Sequence, residues 1–130
     1  MPETELPRPT DAELEILKVL WRRGPSTVRE VFETLGESKT TGYTTVLKTM
    51  QIMAEKGLVV RDESERAHRY EAAAPEDETQ RRLVGDLLRK AFDGEAAKLV
   101  MQALSTERAS AEELSEIRRM LDELEGKGRQ

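Results

Sequence analysis
The chain has no cysteine in its 130 residues. Disulfides, thiolate metal sites and a thiol nucleophile are therefore excluded. Aromatic residues are scarce at 4%, Trp21 is the only tryptophan, and His68 is the only histidine. A lone histidine has no partners for a metal set or a proton relay, so His68 reads as a strand surface residue. No run approaches the ~18 apolar residues needed to cross a bilayer, and the start, MPETELPRPT, lacks the basic-then-apolar order of a secretory signal. The expectation is a soluble, cytoplasmic protein. No Ser/His/Asp arrangement, glycine-rich phosphate loop or zinc-protease motif is present, so neither an enzyme nor a cofactor or metal is expected.

Positive charge is also in short supply. The formal net charge is −5. Residues 1–74 carry eleven Lys/Arg against thirteen Asp/Glu, and residues 75–130 carry ten against thirteen. Only from Lys39 to Tyr70 does the balance turn positive, at six against four. A nucleic-acid binder usually shows a basic footprint. Affinity for DNA would here have to come from locally placed charge and from doubling the site by symmetry.

What the chain does have is helical punctuation. Three prolines fall within residues 1–9, which read as a loose arm. Thr10-Asp11-Ala12-Glu13 has capping-box form, opening a helix over 11–23 with Leu14, Leu17 and Trp21 on one stripe, Ile16 and Leu20 beside it, and Gly24-Pro25 as its stop. Thr27-Val28-Arg29-Glu30 repeats the start signal for a short helix carrying Val28, Val31, Phe32 and Leu35 and ending at Gly36. Glu37-Ser38-Lys39 is a polar turn, and Thr40 or Thr41 is expected to cap a third helix ending at Lys56-Gly57.

That third helix is divided into two faces. At ~100° per residue, Tyr43, Val46, Leu47, Met50, Met53 and Ala54 share one half of the wheel. Thr41, Thr44, Thr45 and Lys48 share the other, as does Ile52, to which no function attaches. Threonine is a mediocre helix former. Its density near a helix start points to contact chemistry: hydroxyls for phosphates or base edges, methyls for the thymine methyl. A solvated helix face is the bland alternative. Leu58-Val59-Val60-Arg61 and Ala67-His68-Arg69-Tyr70-Glu71 then read as a hairpin around a polar tip. Three helices and a hairpin are the layout of a winged helix-turn-helix. Arg66 and Arg69 on the wing would reach phosphate or the minor groove, although Arg66 could equally neutralise Asp62, Glu63 and Glu65. Ser26 and Thr27 are minor candidates for donating to phosphate, with ordinary capping as the alternative.

From Pro75 the character changes. Leu83, Val84, Leu87, Leu88, Ala91 and Phe92 stripe one helix, broken near Asp93-Gly94. A second helix, about Glu95 to Leu104, carries Leu99 and Val100. Ser110-Ala111-Glu112-Glu113 is a third capping box, opening a helix striped by Leu114, Ile117, Leu121 and Leu124. Some 50 residues in three amphipathic helices can bury these stripes only against each other or against a second copy; a domain this small seldom makes a sufficient core alone, so a dimer interface is the economical expectation. The fold class expected is mainly α with a small β-hairpin. Its divisions are a 1–9 arm, a 10–74 winged-helix DNA-binding domain, a 75–125 helical dimerisation region and a 126–130 tail.

The segments LEILKVLWRRGPSTVREVFETL, YTTVLKTMQIMAEKGLV and HRYEA closely resemble the penicillinase-repressor (BlaI/MecI) family, over about residues 10–125. The resemblance implies a homodimeric transcriptional repressor on a dyad operator, often in front of a β-lactamase gene and its sensor. It also implies inactivation by a membrane metalloprotease sensor that cuts within the dimerisation helices. In the best-known members that cut falls at an Asn-Phe bond, where this chain aligns Gln102-Ala103. Copper-sensing relatives use a cysteine-rich tail, which is absent here. The reading is a repressor that binds a palindromic operator through helix 41–56 and the 58–72 wing. The alternative, slightly favoured by the −5 charge and disfavoured by the threonine-lysine face, is a protein-interaction module on a winged-helix scaffold.

Overall fold
A computed structural model describes residues 8–36 and 42–128. The first helix, α1 (Asp11–Arg23), starts on the expected capping box: Glu13 N–H donates to Thr10 Oγ1 at 3.2 Å, and Thr10 N–H donates to Glu13 Oε1 at 2.9 Å. Acids in its first turn and Arg22 and Arg23 in its last complement the helix dipole. Gly24, at φ +88°, closes it through N–H donation to the Leu20 carbonyl. The same reciprocal box, with Glu30 N–H to Thr27 Oγ1 and Thr27 N–H to Glu30 Oε1, opens α2 (Val28–Gly36).

The third helix, α3 (Tyr43–Lys56), begins later than expected. Gly42 is its N-cap and contributes no side-chain bond; Thr40 and Thr41 lie outside the described residues. Its end is the expected one. Gly57 takes the left-handed conformation at φ +85°, its N–H donates to the Ala54 carbonyl, and Leu58 N–H donates to the Met53 carbonyl, the Schellman pattern.

The expected two-stranded hairpin is one part of a three-stranded antiparallel sheet. Ser26–Thr27 forms β1, which pairs with β3 (Arg69–Ala72), and β3 pairs with β2 (Val59–Asp62), in the order β1-β3-β2. A two-residue strand has no period to read. Its pairing partner is more than forty residues away, with Ser26 opposite Tyr70. Tyr70, at the centre of the sheet, is buried with Ile16, Leu17, Leu20, Val31, Val46, Met50, Met53 and Val59 in one core. Met50 and Met53 are fully buried. Trp21 Nε1 donates to the Ala74 carbonyl at 3.0 Å, tying the chain after the wing to α1.

Three further helices follow: α4 (Glu76–Phe92), α5 (Ala96–Thr106) and α6 (Ala111–Gly128). The chain forms two compact units, 1–84 and 85–130, and the division falls inside α4. In the second unit Ser110 and Glu113 make the third capping box. The tail expected from Gly126 is instead helical through Gly128, because Gly126 does not adopt the positive φ that ends a helix at Gly24 and Gly57. Among the described residues of this second unit, none is buried. Leu87, Val100, Leu121 and Leu124 are exposed, while Leu88, Phe92, Leu99, Leu114 and Ile117 are half-buried. Among the described residues, no helix is long and apolar enough to cross a membrane.

Candidate nucleic-acid interface
The core grips α3 along Val46, Met50 and Met53, which turns the opposite face outward. Thr44, Thr45 and Lys48 are exposed there. Among the described residues none of these three side chains has a hydrogen-bond or ion-pair partner, so their polar groups are open to an outside ligand. Thr49, one turn after Thr45, bonds back to the Thr45 carbonyl at 2.8 Å and is occupied. Thr41, expected on the same face, lies outside the described residues.

Tyr43, which the wheel places on the apolar half of α3, is buried only in part. It is 36% exposed, and its ring meets Phe32 edge-on at 5.7 Å between centroids and 81° between planes. Above it sits Arg29 of α2, with its guanidinium carbon 4.7 Å from the Tyr43 centroid. A guanidinium held over a ring keeps N–H groups that can still donate to another ligand. Sequence reasoning missed Arg29. Fourteen residues separate it from Tyr43, and no local spacing announces the contact.

Part of the acidic charge of this unit is spent on its own cations. Glu13 takes Lys56 at 2.8 Å, Glu15 takes Lys18 at 3.3 Å and Glu63 takes Arg61 at 2.6 Å. Glu30 takes Arg23 at 3.4 Å and Arg69 at 3.3 Å, and Glu65 approaches Arg69 at 3.6 Å. The Thr27 backbone N–H, outweighing desolvation, and then Arg69 and Arg23 hold the Glu30 carboxyl below its ordinary range. Arg69, expected as a DNA contact, is thus half-buried and held by two carboxylates, tying the wing to α2. Arg66 is the converse. With Glu63 and Glu65 held elsewhere and Asp62 accepting from Ser64 N–H at 2.9 Å, it stands exposed at the wing tip with no ion pair among the described residues. Arg29 and Lys48 likewise make none. A unit that is acidic in total therefore presents free cations on α2, α3 and the wing.

Ser26 has no route to a phosphate: it is fully buried, and its hydroxyl donates to the Gly24 carbonyl at 2.9 Å. Thr27 Oγ1 is engaged by Glu30 N–H. His68 is exposed just before β3.

A profile of the penicillinase repressor family matches residues 9–123. The chain belongs to the penicillinase repressor family. Its members are transcriptional regulators rather than enzymes. The chain is 37% identical to the transcriptional regulator BlaI of Mycobacterium tuberculosis over 122 residues, 93% of this chain and 88% of that one. It is 24% identical to the penicillinase repressor of Bacillus licheniformis over 119 residues, 92% and 93% of the two chains. Two solved structures are similar at 26% identity, each covering 57% of this chain and 90% of its own. One is the DNA-binding domain of the repressor BlaI in solution, with a TM-score of 0.51. The other is the monomeric form of Bacillus licheniformis BlaI in complex with the blaP half-operator, with a TM-score of 0.50.

Proposed function
We propose that this penicillinase repressor family member is a homodimeric, cytoplasmic repressor that binds a palindromic operator and blocks a promoter. The carrying observation is the open Thr44, Thr45 and Lys48 face on a winged helix similar to a BlaI domain solved on a half-operator. In this reading α3 enters the major groove, and the two threonines and Thr41 meet base edges and thymine methyls. Lys48, Arg29 and the wing's Arg66 meet phosphates, which position the reader without specifying sequence. Arg69 acts at one remove by anchoring the wing through Glu30.

The unburied stripes of α4, α5 and α6 support pairing with a second copy, which gives two half-sites about one helical turn, or a multiple of it, apart. Because each unit offers few free cations, a half-site binds weakly and the pair binds by linkage. Repression ends when the dimer is lost. A membrane metalloprotease sensor cutting in α5, where Gln102 and Ala103 are exposed, is the route that family membership suggests; a β-lactam-resistance gene is the target it suggests.

Titration of a randomised duplex pool and of the duplex it enriches, at two salt concentrations, tests the reading. The expected outcome is enrichment of a palindrome whose affinity falls steeply with salt. Absence of binding at low salt, or binding indifferent to salt, overturns it.

A further inference from the structure
The side chain of Glu13 is 4% exposed, yet it is ionised and fully partnered. Lys56 Nζ lies 3.1 Å from Oε1 and 2.8 Å from Oε2, and Thr10 N–H reaches Oε1 at 2.9 Å. The pair joins the first turn of α1 to the last residue of α3, 43 positions apart. Nothing in the DNA-contact reading uses it, and Lys56, being committed to Glu13, is not among the free cations.

The rest of the grip on α3 explains why such a pair matters. Two of the three buried side chains of α3, those nearest its C-terminal end, are Met50 and Met53, whose unbranched thioethers adapt to their surroundings and specify direction poorly. An ammonium between both oxygens of a buried carboxylate resists separation of α3 from α1, since parting the two leaves the carboxylate desolvated without its countercharge. Resting on the repressor reading, we propose that the Glu13–Lys56 pair is a positioning device. It sets the angle at which α3 is presented, and so controls discrimination between operator and random DNA rather than affinity for DNA at large.

The lever is long enough for this. At ~1.5 Å per residue, Lys48 and Thr44 stand about 12 and 18 Å along α3 from Lys56, so a tilt of about 5° at the pinned end moves them by about 1–1.5 Å. A base-edge hydrogen bond near 2.9 Å does not survive that shift, whereas a flexible lysine or arginine still reaches a phosphate.

The test compares Lys56→Met, Glu13→Gln, Lys56→Arg and the double variant Glu13→Gln/Lys56→Met in the full chain. The probes are random duplex and the duplex that the unaltered chain enriches from a randomised pool. The side-chain amide in Glu13→Gln still serves the capping box, and the double variant leaves no charge buried. In Lys56→Met and Glu13→Gln the affinity ratio between the two probes should fall about tenfold. Random-duplex affinity should stay within about twofold, and the salt slope should be unchanged. Lys56→Arg should keep most of the ratio. The double variant should recover most of the melting temperature lost in Lys56→Met without recovering the ratio.

Several outcomes overturn the inference: an unchanged ratio in folded single variants, recovery of the ratio together with stability in the double variant, failure of all the uncharged variants to fold, or a salt slope reduced by about one per copy, which would make Lys56 a phosphate contact. If the unaltered chain enriches no duplex, the repressor reading falls too, and that result is distinct from each of the others.

Discussion

Lys48 sits on the outward face of α3 with no ion pair among the described residues, so its charge is spare where stability is concerned. Lys48→Glu should abolish binding to the enriched duplex while shifting stability by no more than about 0.5 kcal/mol. A large drop in melting temperature would make Lys48 structural. Arg29 is tested more finely by salt. Arg29→Gln removes the charge and keeps a polar side chain, so the slope of log affinity against log salt for the paired site should become shallower by about two, one per copy, with near-uniform weakening across duplex sequences. An unaltered slope would remove Arg29 from the contact set.

Glu13 adds a pH signature at the same scale. Burial alone would raise its carboxyl, but Lys56 and the Thr10 N–H outweigh burial and hold it below its ordinary value of 4.5. A depressed carboxyl contributes stability that is present above the unfolded value and is lost as pH falls through the folded one. The melting temperature of the unaltered chain should therefore decline below about pH 4.5 more steeply than that of Glu13→Gln. Parallel declines in a melting series would show that Glu13 is not held ionised.

Among the elements, α3 has the more elaborate end at its C-terminus. Gly57 at φ +85° satisfies the Ala54 carbonyl and turns the chain so that Leu58 N–H meets the Met53 carbonyl. A Cβ there meets no neighbouring atom within 4 Å, so the cost of Gly57→Ala is backbone strain alone, about 1–2 kcal/mol. For a domain of this size that corresponds to a melting temperature lower by about 4–8 °C per kcal/mol. A neutral result in a thermal scan would show that the turn relaxes. The N-terminal end of α3 has no side-chain cap, because Gly42 occupies the position expected of a threonine. The wing is anchored differently, through Arg69 and Glu30 on one side and β1 on the other.

For the whole molecule, the proposed pairing rests on the second unit. Its described residues include none that is buried, so a lone copy leaves Leu87, Val100, Leu121 and Leu124 in water. Covering them with a second copy makes thermal stability rise with protein concentration. Sedimentation should find the full chain dimeric and a chain truncated after Val84 monomeric, folded and weak on the enriched duplex. A dimeric fragment would place the interface elsewhere. Truncation at Val84 keeps the Trp21–Ala74 bond and the buried Thr79, which belong to the first unit.

The sequence by itself determined whatever depends on neighbours within a turn or two. The capping boxes at Thr10, Thr27 and Ser110, the glycine stops at Gly24 and Gly57, and the division of α3 into a buried Val46–Met50–Met53 face and an exposed Thr44–Thr45–Lys48 face are local rules of hydrogen bonding and 3.6-residue periodicity. Only the tertiary structure decided pairings between distant residues, because no period or spacing encodes them. It placed Ser26 opposite Tyr70, which made β1 and buried a serine that had looked available to phosphate. It joined Glu30 to Arg69, which ties the wing to α2, and left Arg66 without an ion pair among the described residues. It stacked Arg29 on Tyr43, and it paired Glu13 with Lys56 across 43 residues. The helix read from the sequence as a two-faced segment is thus held at one end by a charge pair that its own residues could not have revealed.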